Sequence, residues 1–157
     1  MNTSTSKAKR APSSSVIRVA TESAAETRKI GEALGRELKS AALGRAIIIA
    51  FKGELGTGKT VFIQGIGKGL GIKSIITSPT FVLARKHPGS VSLIHIDAYR
   101  ITNRREADIF TRGLLAIPRS VVCVEWHERI AHIARPDITV AITHLAGNRR
   151  KLIIKAQ

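Results

Sequence analysis

The chain has 157 residues, 43% of them hydrophobic and 24% charged, which suits one domain built around a single core. Its one cysteine, Cys123, excludes an internal disulfide, and apolar runs of about six residues fall well short of the roughly 20 that span a bilayer. Lys and Arg number 26 against 11 Asp and Glu, a formal charge of +15 that attracts polyanions, nucleic acid foremost, without specifying a fold.

In chain order, residues 1–15 are rich in Ser, Thr, Lys and Arg, contain no acid, and read as a solvated basic tail ahead of a domain over 16–157. That stretch lacks the apolar core of a secretory signal, and with one cysteine the chain reads as cytoplasmic. "SAAE" (23–26) is a capping box, and Ile30, Ala33, Leu34, Leu38 and Ala41 continue it at helical spacing to about 41. "RAIIIAF" (45–51) is apolar on successive positions, the mark of a strand buried on both faces. A Gly-rich loop follows, then a helix over 59–70 that Gly65, Gly67 and Gly69 should weaken. "TFVLARK" and "SLIHID" flank the turn "HPGS" (87–90) and predict a hairpin. "RREADIF" (104–110) predicts a short helix and "SVVCVEW" (120–126) a second buried strand. "DITVAITHL" and "RKLIIKA" predict a closing hairpin around 146–149. The expected fold is α/β: a P-loop-like central sheet, mostly parallel, with flanking helices and a small antiparallel element.

Gly53, Gly56, Gly58, Lys59 and Thr60 have the spacing G-x-x-x-x-G-K-[ST]. A phosphate chain must be met by many donors at once. Glycines let backbone N–H groups turn inward with no Cβ in the way, and the helix from Lys59 aims its positive end at the same anion. Lys59 adds a full charge, and Thr60 offers a hydroxyl to Mg²⁺. A nucleotide hydrolase also needs an acid at a neighbouring strand end. Asp97, closing "SLIHID", and Glu125, closing "VVCVE", both qualify. "SPT" (78–80) presents Ser78 and Thr80 in a switch-like loop. No N-K-x-D element occurs, which disfavours GTP. His95 reads as a packed histidine and Cys123 as core. Arg100 could meet a γ-phosphate or a loop carboxylate.

The ordered set "GELGTGKT", "TSPTFVL", "HIDAYR" and "VVCVEW" resembles the TsaE (YjeE) family, bacterial P-loop ATPases of tRNA threonylcarbamoyladenosine synthesis, over roughly 16–155. The resemblance implies that Gly53, Glu54, Leu55, Gly56, Thr57, Gly58, Lys59 and Thr60 bind ATP phosphates, with Mg²⁺ on Thr60 and Glu125. It implies catalytic roles for Lys59, Asp97 and Glu125, a switch role for Thr80, and Trp126 beside the nucleotide. The adenine would lie near Ala24 and Arg149 or its neighbour Arg150. It further implies an ATPase that works on a TsaB–TsaD complex, with tRNA met indirectly or through a basic surface. Departures from the family pattern are Thr57 for Ala, His127 for Pro, and a glycine displaced from 111 to Gly113. Two other readings share the P-loop: a small-molecule kinase, and a basic RNA-binding adaptor that senses ATP.

Overall fold

A computed structural model describes residues 15–157, so the proposed basic tail lies, Ser15 excepted, outside the described residues. Seven strands and three α-helices follow in the order β1 (Val16–Thr21), α1 (Ala24–Ala41), β2 (Ala46–Lys52), α2 (Lys59–Leu70), β3 (Ala84–His87), β4 (Ser92–Asp97), α3 (Arg104–Leu115), β5 (Ser120–Glu125), β6 (Ile138–His144) and β7 (Arg150–Ala156). The strands form one sheet in the order β1-β7-β6-β2-β5-β4-β3. β4, β5, β2 and β6 run parallel, whereas β3, β7 and β1 join antiparallel, so the sheet is mixed and parallel only through its middle.

Both predicted hairpins form. β1 was not expected: "VIRVAT" alternates for only six residues on a sheet edge, too short a pattern to stand out. α3 runs on to Leu115, past the expected stop at 110, because Phe110, Leu114 and Leu115 keep one apolar face against the sheet. Ser23 caps α1 by accepting from the Glu26 N–H at 3.2 Å, while Glu26 reaches back to the N–H of Glu22 rather than of the cap itself.

α1 and α2 cover one face of the sheet, burying Leu38, Phe62, Ile63, Ile66 and Leu70 on Ile47, Ile49, Phe51, Leu93 and Val121. α3 covers the other face over Ile94, Ile96, Val122 and Val124. The glycines expected to weaken α2 have a packing role instead. A Cβ at Gly65 would strike the Arg28 carbonyl oxygen of α1, and one at Gly31 of α1 would strike that of Phe62. Bare backbone is what lets the two helices lie this close, and that contact outweighs the propensity cost of about 1 kcal/mol per glycine. No described helix is long and apolar enough to cross a membrane.

Candidate nucleotide site

The parallel strands end at one edge of the sheet, and their register sets the acids side by side. Phe51 of β2 pairs with Glu125 of β5, and Glu125 pairs in turn with Asp97 of β4. Strand alternation puts Leu93, His95 and Asp97, like Val121, Cys123 and Glu125, on the face that α2 covers. Both carboxylates therefore stand on the side where the loop between β2 and α2 arrives. That is the crevice beyond the carboxyl ends of strands where open α/β sheets hold ligands.

The loop itself is backbone-shaped. Gly53, Gly56 and Gly58 have φ of 144°, 78° and 102°. Gly53 is further constrained, since a Cβ there would strike the Ile142 carbonyl oxygen. Thr57 is buried, and its hydroxyl and N–H both turn to the Glu54 carbonyl, at 2.9 and 3.4 Å. Arg150 of β7 donates Nε–H to the Thr57 carbonyl at 2.9 Å and ties the loop to the antiparallel part of the sheet.

Lys59 lies 6% exposed at the start of α2. Its ammonium donates to the Gly53 and Glu54 carbonyls, each at 2.8 Å, and stands 3.8 Å from Glu125 Oε2. The other oxygen of Glu125, Oε1, accepts from His95 Nε2–H at 2.9 Å. A carboxylate this buried is tolerable because a cation and a ring N–H face it. His95 is fully buried, and its Nδ1 has no partner among the described residues. Asp97 accepts the Tyr99 N–H at 3.0 Å.

These groups surround a cavity of about 860 Å³, lined by Glu54, Leu55, Gly56, Gly58, Lys59, Thr60, Val61, Ser78, Thr80, Asp97, Tyr99, Glu125 and Trp126. One wall is aromatic: the Tyr99 and Trp126 rings lie 5.1 Å apart, and Trp126 takes a left-handed φ of 58° that turns it off the end of β5. Ser78 and Thr80 share a hydrogen bond of 2.7 Å at the rim. Gly53 lines an adjoining cleft with Lys52 and Trp126. A second cavity of about 280 Å³ continues from Gly56 and Gly58 to Ala24, Thr27, Val61, Asn148 and Arg150.

The structure thus gathers Lys59, Thr60, Thr80, Asp97, Glu125 and Trp126 at one cavity and sets Ala24 beside it. Arg149 does not line either cavity; its Nε donates to Glu22 at 3.1 Å, and Arg150 takes the inward position. Arg100 stacks over the exposed Phe81 ring at 5.4 Å, outside the cavity lining. Its place inside a strand marks His95 as packing, yet it also bonds Glu125. Strand parity, which puts His95 two residues before Asp97 on the same face, was the signal that could have paired it with Glu125. Cys123 is core, with burial holding its thiol well above the usual range. Burial lowers the His127 pKa, and its Nε2–H donates to the Ala134 carbonyl at 3.0 Å.

Among the described residues no three His, Cys, Asp or Glu gather as a metal cluster. The residues nonetheless fit Mg²⁺, which is typically held by one or two protein oxygens plus substrate phosphates. Thr60 and Glu125 offer such oxygens on the same cavity.

A family model described as threonylcarbamoyl adenosine biosynthesis protein TsaE matches residues 21–152. The tRNA threonylcarbamoyladenosine biosynthesis protein TsaE of Treponema pallidum is 33% identical over 141 residues, covering 88% of this chain and 99% of that protein. Its counterpart in Aquifex aeolicus is 35% identical over 137 residues, 85% of this chain and 91% of the relative. The crystal structure of Bacillus subtilis YdiB superposes with a TM-score of 0.67 at 25% identity, over 93% of this chain and 88% of that one.

Proposed function

The chain belongs to the TsaE family, and on that premise we propose that it is a Mg²⁺-dependent ATPase serving threonylcarbamoylation of adenosine in tRNA. Its turnover acts on a TsaB–TsaD complex in the cytoplasm. The observation that carries the reading is the meeting of Lys59, Thr60, Asp97 and Glu125 at one cavity, beside a loop whose glycines take positive φ.

In this reading the N–H groups of Gly56, Gly58, Lys59 and Thr60 and the positive end of α2 hold the triphosphate. Lys59 spends two protons on loop carbonyls and keeps a third for a phosphate oxygen, beside Glu125. Magnesium, held by Thr60 and Glu125, would neutralise charge on the β- and γ-phosphates. His95 fixes Oε1 of Glu125, and Oε2, which faces Lys59 at 3.8 Å, is the oxygen that would meet that ion. Asp97, anchored by the Tyr99 N–H, orients the attacking water. Trp126 and Tyr99 wall that side of the cavity, Thr80 senses the γ-phosphate, and the base lies toward Ala24 with Arg150 closer than Arg149.

The test is Lys59→Ala in a reconstituted modification assay with TsaB, TsaD and tRNA, alongside ATP hydrolysis with and without that pair. The variant should lose ATP-dependent modification, and the parent should hydrolyse ATP faster with its partners. Normal modification by the variant would sink the reading.

A further inference from the structure

One face of the sheet beyond β2 has no helix over it among the described residues. On the opposite face Val19, Val140, Ile142, Leu152 and Ile154 join the core under α1 and α2. Strand alternation sends the intervening residues the other way, and they are exposed or half-buried.

The register places cations on that open face in a definite pattern. Lys52 of β2 pairs with Ala141 of β6, Ala141 with Ile153 of β7, and Ile153 with Arg18 of β1, one row across four strands. Lys151 and Lys155 flank Ile153 on β7, two residues to either side. At ~3.4 Å per residue and ~4.8 Å between strands, both diagonals of this four-cation lozenge span about 14 Å. The residues inside and around it are small, hydroxylic or aliphatic: Ala20, Ala141, Thr139, Thr143 and Ile153. None is acidic.

The four cations are also uncommitted. Arg36, Arg45, Lys59, Lys68, Arg112 and Arg149 each pair with a carboxylate, but Arg18, Lys52, Lys151 and Lys155 do so with none among the described residues. Lys52 is the least available, since it shares a cleft with Glu128 at the border of the face.

We propose that this open face of β6, β7 and β1 is an RNA-docking surface that holds the phosphate backbone of tRNA. A face with several cations and no acid within its three strands is complementary to a polyanion, and releasing the counterions condensed on RNA supplies the driving force. No aromatic side chain stands among these residues, so base stacking is not available, and the contact reads backbone charge rather than sequence. That the RNA is tRNA rests on the proposed function; that the ligand is a phosphate polymer rests on the face alone.

The experiment measures binding of an unmodified tRNA transcript to the full chain by fluorescence anisotropy, between about 50 and 200 mM salt. The triple variant Arg18→Ala/Lys151→Ala/Lys155→Ala should bind at least about tenfold more weakly at the low end, and its log–log salt slope should shrink by about three. A control triple on the helical side, Lys29→Ala/Lys39→Ala/Lys73→Ala, removes the same charge and should cost far less. Unchanged melting and ATP affinity certify both folds, and Arg18→Gln alone should take about one unit from the slope. Equal losses in the two triples would overturn the proposal by reducing it to overall charge. No binding by the parent at low salt would overturn it too, as would a triple that keeps RNA but loses the TsaB–TsaD pair. Lys59→Ala should leave RNA affinity unchanged, so failure of the ATPase reading and failure of this one are told apart.

Discussion

Within one sheet, two halves handle polarity in opposite ways. In β2, β4 and β5 helices cover both faces, so the strand interiors are apolar except for the buried His95, and the carboxylates Asp97 and Glu125 come only where β4 and β5 end. In β6, β7 and β1 described helices cover a single face, and polar residues such as Arg18, Thr139, Thr143, Lys151 and Lys155 recur along the other among apolar ones. Covering both faces drives the charges of the parallel half to the strand ends, where they converge with the loop and helix dipole on one cavity. Leaving one face open spreads the charges of the antiparallel wing over a surface. The first arrangement suits gripping a compact, highly charged group, the second a broad and weakly specified contact.

The largest effect should come from the parallel half. Glu125→Gln keeps the shape of the strand end but removes the charge facing Lys59. ATP turnover, measured with the TsaB–TsaD pair, should fall on the order of 10²–10³-fold. Turnover at the parent's rate would break the comparison, because the strand ends would then not be where the chemistry is. Next is the helical layer over both halves. Gly65→Leu drives a side chain against the Arg28 carbonyl of α1, so the helices must part. We expect about 3 kcal/mol of lost stability and a melting temperature lower by roughly 10 °C, read by calorimetry. A neutral outcome would mean that close helix contact is not what fixes the sheet's covered face.

The contrast between the halves also decides what could be read in advance. Continuous apolar runs such as "AIIIAF" and "VVCVE" announce buried strands, and a glycine motif with a lysine announces the loop between strand and helix. The central strands, α2 and the cavity residues around Lys59 were therefore legible. β1 was not, since a short alternating stretch on an edge looks like any polar segment. The role of Gly31 and Gly65 was hidden because a propensity scale sees only the helix that carries a glycine, not the neighbour it admits. The His95–Glu125 bond, and the choice of Arg150 over Arg149 beside the loop, depend on which way a side chain turns from its strand. Spacing constrains that only once the partners in the sheet are known.

A smaller effect is expected where the halves join. Asp137, just ahead of β6, accepts from Arg45 at 3.0 and 2.7 Å and from the Ile48 N–H of β2 at 2.8 Å. Burial alone would raise this carboxyl, but Arg45 and the Ile48 N–H hold it below its ordinary value. Asp137→Asn should cost about 1–2 kcal/mol near neutral pH, a figure reduced for the exposure of Arg45. A depressed folded-state pKa gives stability that is complete above the unfolded value, about 3.9, and is lost as pH falls through the folded one. The gap between variant and parent should hold from pH 7 to about pH 4 and shrink below that in denaturant titrations. A gap that grew on acidification would show that the charge is not what joins β6 to β2.

The smallest effect is the sharpest test of the wing, because it sets adjacent residues on opposite faces. Leu152 is fully buried beneath the helices, whereas Lys151 is exposed on the open face. Leu152→Ala should cost about 3 kcal/mol through lost burial and the void left behind. Lys151→Gln removes a charge with no ion-pair partner among the described residues and should stay within about 0.5 kcal/mol of the parent. Thermal melts of the two single variants suffice. If Lys151→Gln destabilised the fold as strongly as Leu152→Ala, the open face would be part of the folding core, and its cations could not be free to meet a ligand. Near-neutrality at Lys151 is what allows charge there to serve an interaction without a cost to the sheet.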